Sequence, residues 1–276
     1  MIDSDGISRL LEHVGLRART FYSGPLCGLH NFDAGDGVGH LHVVRAGSLK
    51  AEQAGHEDIS INEPTLLFYP RPLDHRLDAP PRVTASVLCA SVKYEAGMEN
   101  AITQSFPAVI AIPFRLAVGL EPTLALLFSE ASEAHPGRHV MLDRLCDVLL
   151  IQIVRYAIEN TIISKGILAG LAHPRLGKAL HEVLDNPGQA WTLNDMAALT
   201  YQSRTAFARS FRETIGATPA DFLTQVRIGQ AQRLLVKGKP LAAVAEMVGY
   251  GSQPAFSRAF IRETGIAPSD WLRQQS

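Results

Sequence analysis

His40 and His42 stand two residues apart in the run Gly39-His40-Leu41-His42-Val43-Val44. On a β-strand alternate side chains share a side, so both imidazoles face one way while Leu41 and Val43 face the other. His75 closes the segment Pro70-Arg71-Pro72-Leu73-Asp74-His75, and Cys89 lies in the β-rich run that follows. If the fold brings them together, two or three imidazoles with a thiolate form a donor set suited to zinc or another first-row transition metal. The same residues offer a redox chemistry: Cys89, with its pKa lowered by neighbouring imidazolium, is an oxidisable thiol, and Cys27 is its resolving partner. An apolar small molecule is a third ligand class, for which no particular residue stands out. Against all three stands the ordinary reading, in which strand histidines are hydrogen-bonded interior residues and cysteines are small buried hydrophobes. That reading alone applies to His30, His56, His135, His139, His173 and His181.

A second set of residues repeats. Phe207-Ala208-Arg209-Ser210-Phe211 matches Phe256-Ser257-Arg258-Ala259-Phe260 at an offset of 49, as do Gly216 and Gly265, Pro219 and Pro268, and Leu223 and Leu272. Upstream, Met196-Ala197 matches Val244-Ala245 at an offset of 48, so the second copy holds one extra residue in its turn, at Gly249-Tyr250-Gly251. Each copy reads as helix, tight turn, capped helix and a Gly and Pro stop, the pattern of a helix-turn-helix. The paired phenylalanines fall on a buried face. Arg204, Thr205 and Arg209 in the first copy, and Gln253, Ser257 and Arg258 in the second, fall on the other. Arginine matches the O6 and N7 acceptors of guanine, glutamine pairs with adenine, and hydroxyls serve bases or phosphates. A solvated helix face explains any one of these singly; two copies in register point to DNA. Pro254 and Ala255 give no side-chain donor, so the second copy reads fewer bases.

The elements that must position these groups have two textures. Between about Thr20 and Tyr94, short β-rich runs (40–44, 65–69 and Val83 to Tyr94) alternate with Gly, Pro, Asp and Asn, which predicts a β-sandwich or barrel. After Pro113 the apolar spacing becomes helical. Helices are expected over Leu116 to Ala134 and Leu142 to Ile163. The second is apolar round too much of its circumference for one wet face, which predicts burial on both sides, either by its own barrel and a second subunit or wholly within one chain; the dimer is the favoured reading. Thr192, Ser203 and Ser252 are N-caps, and Pro219 and Pro240 open helices. Gly166 to Pro174 is the expected domain junction.

The 276-residue chain carries a net charge of −1, with 46% apolar residues. From residue 170 onward there are 12 Lys and Arg against 8 Asp and Glu, a net of +4, which leaves −5 for the rest. A basic C-terminal part joined to an acidic remainder fits a nucleic-acid module attached to a non-binding one. The apolar run Leu145 to Ile158 is broken by Asp147, Gln152 and Arg155, which excludes a membrane span. The acidic start Met1-Ile2-Asp3-Ser4-Asp5 differs from a secretory signal, so a cytoplasmic protein is expected. Three scattered cysteines make no disulfide framework.

The stretches LNDMAALTYQSRTAFARSFRETIGATPADFLTQVRIGQAQRLL and LAAVAEMVGYGSQPAFSRAFIRETGIAPSDWL resemble the double helix-turn-helix of the AraC/XylS family of bacterial transcription regulators. The resemblance covers about Ala172 to Gln275. It implies two recognition helices in successive major-groove segments, joined by the helix Ala220 to Val236, and again selects Arg204, Thr205, Arg209, Gln253, Ser257 and Arg258. It also implies double-stranded operator DNA and RNA polymerase as partners. Up to about Pro113 the chain is similar to the cupin-type sensor of a subgroup that includes reactive-chlorine-responsive regulators. That similarity rests on His42 five residues before Gly47, Pro70 five before His75, and Cys89. The glutamate that cupin enzymes carry soon after the paired histidines is missing, since Arg45, Ala46 and Gly47 fill the stretch, and Glu63-Pro64 stands where Gly-Asp is usual.

The expected protein is therefore of the α+β class with two domains: a cupin-like barrel over 1–113, a helical dimerisation and linker region over 114–169, and an all-α tandem helix-turn-helix over 170–276. It is expected to be a homodimeric DNA-binding transcription regulator, an activator rather than a repressor and not an enzyme. A metal, small molecule or oxidant at the barrel controls it, through His40, His42, His75 and Cys89. A cupin-type metal-dependent enzyme with an accessory DNA module is the alternative, disfavoured by the missing glutamate.

Overall fold

The computed structural model describes residues 7–8, 10–11, 15–80, 84–94 and 102–275; the acidic start at Met1 to Asp5 and the strand position expected at Val83 lie outside them. The chain divides into two compact units, one of Leu16–Tyr94 with Phe106–Ile162, the other of Met1–Gly15, Glu95–Ser105 and Ile163–Ser276. The expected boundary at 113 is therefore not a division between compact units. The helices after it fold with the strands, and the helical unit takes over at 163 rather than 170.

Among the described residues, nine strands form the first unit's two antiparallel sheets. β1 (Arg17–Leu26), β8 (Ala85–Lys93), β3 (Gly39–Ala46), β6 (Thr65–Tyr69) and β9 (Ile110–Pro113) lie in that order in the larger sheet. β2 (Gly28–Phe32), β7 (His75–Ala79), β4 (Leu49–Gln53) and β5 (Ile59–Ile61) form the smaller. The expected barrel is thus a two-sheet sandwich of jelly-roll type, not one continuous hydrogen-bonded cylinder. Its interior gathers residues such as Val44, Leu67, Val87 and Cys89 from the larger sheet against Leu49, Ala51, Ile61 and Leu77 from the smaller.

Residues 39–44 of β3 are all buried, so this strand is covered on both faces. On the face away from the smaller sheet, Phe68 meets Phe106 edge-on at 5.6 Å, and the Arg45 guanidinium lies 5.1 Å from the Phe128 ring centre. Two 3-10 turns (Phe114–Leu116 and Val118–Leu120) precede α1 (Glu121–Ser132), which starts five residues later than expected, with Pro122 in its first turn. α2 (Arg138–Glu159) buries Leu142, Leu145, Leu149, Leu150 and Ile153. Its other face is open: Met141 and Val148 are 41% and 43% exposed, so within one chain this helix is covered on one side only.

α2 also closes the edge of the larger sheet. The Asp147 carboxylate accepts a hydrogen bond from the Ala18 N–H at 2.7 Å, and the Asp143 carboxylate accepts one from the Thr20 N–H at 2.7 Å. Carboxylates four apart on a helix thus meet amides two apart on a strand, the spacing at which β1 directs its N–H groups outward. An edge that would otherwise template a further strand is capped by a helix.

The second unit is helical. α3 (Ile167–Ala172) and α4 (Leu176–Asp185) lead into α5 (Leu193–Leu199) and α6 (Arg204–Ile215), the long α7 (Pro219–Val236), then α8 (Leu241–Met247), α9 (Gln253–Thr264) and α10 (Pro268–Gln274). The caps are those expected. Thr192 and Asp195 form a capping box, the Ser203 hydroxyl accepts from the Ala206 N–H, and the Ser252 hydroxyl accepts from the Ala255 N–H.

Candidate functional site

The repeat builds two matching helix-turn-helix units. In the first, Phe207 and Phe211 are buried with ring centres 5.5 Å apart, and Phe222 of α7 closes on Phe211 at 5.5 Å. In the second, Phe256 and Phe260 lie 5.6 Å apart and Trp271 closes on Phe260 at 5.9 Å. Locking one face of each recognition helix this way leaves the opposite face outward. Arg204, Thr205, Arg209, Gln253 and Arg258 are exposed there, and Ser257 is half-buried. The two turns share a hydrogen-bond pattern: Gln202 N–H donates to Ala197 at 3.2 Å, as Tyr250 N–H does to Ala245 at 2.9 Å. Between the copies, Arg227 of α7 donates to the carbonyls of Pro187 and Gln189, both at 2.8 Å, and lies 5.5 Å from the Tyr250 ring centre.

In the sandwich, His42 and His75 meet with their Nε2 atoms 2.9 Å apart. His75 Nδ1 lies 2.7 Å from the Leu73 carbonyl and Cys89 Sγ lies 3.1 Å from His42 Nδ1. A carbonyl only accepts, so His75 carries its proton on Nδ1 and presents a lone pair at Nε2. His42 then donates from Nε2 and accepts at Nδ1 from the Cys89 thiol, a tautomer assignment that follows from the network. His40 ring centres lie 5.8 Å from His42 and 5.1 Å from His75, and His40 Nδ1 is buried without a hydrogen-bond partner among the described residues. Tyr69 stacks on one side of His75 at 3.8 Å and Phe32 on the other at 4.9 Å. The Tyr69 hydroxyl donates to Gln53. A cleft of about 530 Å³, lined by Phe32, Asp33, Gln53, Asp74 and Arg76, reaches His75.

Burial governs the electrostatics. It pushes His42 well below the ordinary histidine value, with His75 and His40 as further causes, and it lowers His75 to about 4 and His40 less far. The imidazoles are neutral, the form that binds metal. The Cys89 thiol is pushed up to about 12 by burial.

These positions revise the expected donor set. Cys89 and His75 occupy opposite edges of the His42 ring, so Cys89 orients His42 and does not share a point of convergence with His75. The donors that fit a metal in type are His75 Nε2, the orphaned His40 nitrogen and, once its proton moves to Nδ1, His42 Nε2. Among the described residues no three His, Cys, Asp or Glu side chains are already arranged around one point. The redox pair is also revised. No imidazolium lowers the Cys89 pKa. Cys27 is exposed just beyond Leu26, which pairs with Ala85, whereas Cys89 pairs with Tyr22. Five residues of strand span about 17 Å, far beyond disulfide reach.

Residues 5–159 match the cupin family, and residues 196–274 match the helix-turn-helix domain family. The chain belongs to the cupin family. With its tandem helix-turn-helix it is an AraC-family DNA-binding transcription regulator carrying an N-terminal cupin domain, and its relatives are regulators, not enzymes. It is 29% identical over 223 residues to the RCS-specific HTH-type transcriptional activator RclR of Escherichia coli (strain K12), across 78% of each chain. To the HTH-type transcriptional regulator MtrA of Neisseria gonorrhoeae it is 29% identical over 171 residues, 60% of this chain and 55% of the relative. Among solved structures it is similar to the DNA-binding domain of AdpA in complex with a target DNA, at 29% identity and a TM-score of 0.36, over 37% of this chain and 93% of that one. No helix among the described residues is long and apolar enough to cross a membrane.

Strand spacing together with the cupin resemblance found His40, His42, His75 and Cys89 but not Phe32, Tyr69 or the Leu73 carbonyl. Those three belong to strands and a loop whose approach no local pattern encodes.

Proposed function

We propose that this regulator is a cytoplasmic transcription activator whose DNA binding is set by the buried cluster of His40, His42 and His75. The observation that carries the reading is the facing pair of neutral imidazoles beneath an open cleft, with an unsatisfied His40 nitrogen beside them. Buried polar groups without partners are uncommon and a ligand satisfies them. A transition metal such as zinc, alone or with a small molecule seated in the cleft, is the signal; the metal would supply a positive charge that takes up the imidazole lone pairs. Cys89 serves here by holding the His42 ring. Ligand binding acts by differential affinity for two states of the regulator, one competent to engage the operator and RNA polymerase. The activator role is supported by the name of the relative RclR.

The working form is a homodimer through the open face of α2, where Met141, Val148, Ile151 and Ile158 recur at helical spacing. A second reading, oxidation of Cys89, rests on the designation RCS-specific in that relative's name, since the buried thiol sits protonated against a neutral His42.

Metal analysis of the purified protein, alongside the His42→Ala, His75→Ala double variant, tests the first reading. Near-stoichiometric metal in the parent and none in the variant is expected. Metal in neither removes the metal reading and leaves an organic ligand or Cys89 oxidation, which mass spectrometry of oxidant-treated protein distinguishes.

A further inference from the structure

Tyr201 lies in the turn of the first helix-turn-helix with a backbone φ of 55° and 91% of its surface exposed. A left-handed backbone is costly for any residue but glycine. The matching turn position in the second copy is Gly249, whose N–H donates to Glu246 as the Tyr201 N–H donates to Ala198. The two turns face different surroundings. A Cβ on Gly249 would meet the Gly188 carbonyl at 2.6 Å, so that turn is packed against its neighbour, whereas the Tyr201 turn opens to solvent. A large aromatic is thus held in an unfavourable conformation at a place where glycine would relieve it, and where burial gives nothing back.

A cation lies beside the ring. The Lys178 ammonium of α4 lies 5.9 Å from the Tyr201 ring centre, within range of a cation–π contact. The pair therefore presents a phenolic O–H and a primary ammonium on one surface, one hydrogen-bond donor and one charge. Tyr201 precedes Arg204, the first residue of α6, by only three positions, and the N-terminal end of a recognition helix is the end that meets the major groove. The surface beside that end is the phosphate backbone flanking the groove. Donors and cations are what recognise it.

We propose that Tyr201 and Lys178 together grip a DNA backbone phosphate beside the first recognition helix, giving the first helix-turn-helix an anchor that the second, with Gly249 at this place, lacks. Tyr201 is a positioning residue: it fixes the register in which Arg204, Thr205 and Arg209 meet the bases. The second copy already has fewer donors, at Pro254 and Ala255, so the first carries the heavier share of the DNA contact.

The test uses the full chain, a short random-sequence duplex and a salt titration, with Tyr201→Phe, Tyr201→Gly and Lys178→Gln. Tyr201→Phe keeps the ring and the cation contact but loses the donor, and should bind about fivefold more weakly. Lys178→Gln should reduce the slope of log affinity against log salt by about 0.9, one phosphate contact. Tyr201→Gly should lose affinity at least as much as Tyr201→Phe while its Tm is unchanged or higher, which separates a DNA role from a folding role. Parental affinity and salt slope in both Tyr201→Phe and Lys178→Gln would overturn the proposal. So would unchanged duplex binding combined with lost recruitment of RNA polymerase, which would assign this pair to a protein partner.

Discussion

His42 accepts from the Cys89 thiol at 3.1 Å on one edge of its ring and faces His75 at 2.9 Å on the other. Removing the thiol therefore strands a buried nitrogen rather than opening a metal site. Cys89→Ala should cost about 1–3 kcal/mol of stability through the unsatisfied His42 Nδ1, and Cys89→Ser, which keeps a donor, should cost less. Urea denaturation of the three proteins checks this; equal stability of Cys89→Ala and the parent would mean the contact is idle.

The same neutral cluster makes stability depend on pH. Burial lowers His75 from 6.5 to about 4 in the folded protein. Between those values the unfolded chain takes up a proton that the folded chain refuses, so stability is full above pH 6.5 and falls as pH drops towards 4. One group shifted this far accounts for about 3 kcal/mol, and His42, lowered for the same first cause, acts in the same direction. Denaturation of metal-stripped protein at stepped pH should show this slope, and a profile flat from pH 7 to 4.5 would exclude neutral imidazoles at this site.

Thiol chemistry separates the cysteines. Burial pushes Cys89 and Cys146 both up to about 12, while Cys27 is exposed. A thiol reacts as its thiolate, so at neutral pH Cys27 should be alkylated quickly and the other two only after unfolding. Mass spectrometry over time reads the order, and rapid labelling of Cys89 in folded protein would revive it as an oxidant target.

What could be read from the sequence follows from how local each determinant is. Thr192, Ser203 and Ser252 cap their helices through contacts three residues long, and the paired phenylalanines repeat at a fixed offset, so the DNA-binding half was legible almost residue by residue. The cupin half depends on pairings between distant strands. His42 and Cys89 stand opposite each other only because β3 pairs with β8. The cupin resemblance therefore brought the right residues together but could not show that Cys89 lies behind the His42 ring. Nor could it show that Asp143 and Asp147 reach across to β1, since those carboxylates read as the wet positions of a helix. Tyr201 did leave a signal, as the non-glycine partner of Gly249 in the repeat.

The β1 edge gives a structural prediction for those carboxylates. Asp147 holds the Ala18 N–H and also meets Arg17 and Arg144, at 3.4 and 3.0 Å. The arginines are more than half exposed and contribute little, whereas the part-buried amide does not readily find another acceptor. Asp147→Ala should cost about 1–3 kcal/mol and Asp147→Asn less, because an amide oxygen still accepts. Arg17→Ala should leave stability nearly unchanged, and a loss there as large as in Asp147→Ala would show that charge rather than backbone capping holds the edge.

Arg258 is exposed on α9 two residues after the buried Phe256, at the place Arg209 takes on α6. With Pro254 and Ala255 preceding it, Arg258 is the first charged side chain of this recognition helix. Arg258→Ala should weaken operator binding by about 1–3 kcal/mol and relax preference at one base pair, since a bidentate arginine discriminates against the wrong base by that amount. Selection of bound sequences from a random duplex pool, for the parent and the variant, measures both effects. If the variant loses affinity equally for every sequence and its salt slope drops by about one phosphate, Arg258 holds the backbone instead. Base reading by the second unit would then fall to Gln253 and Ser257.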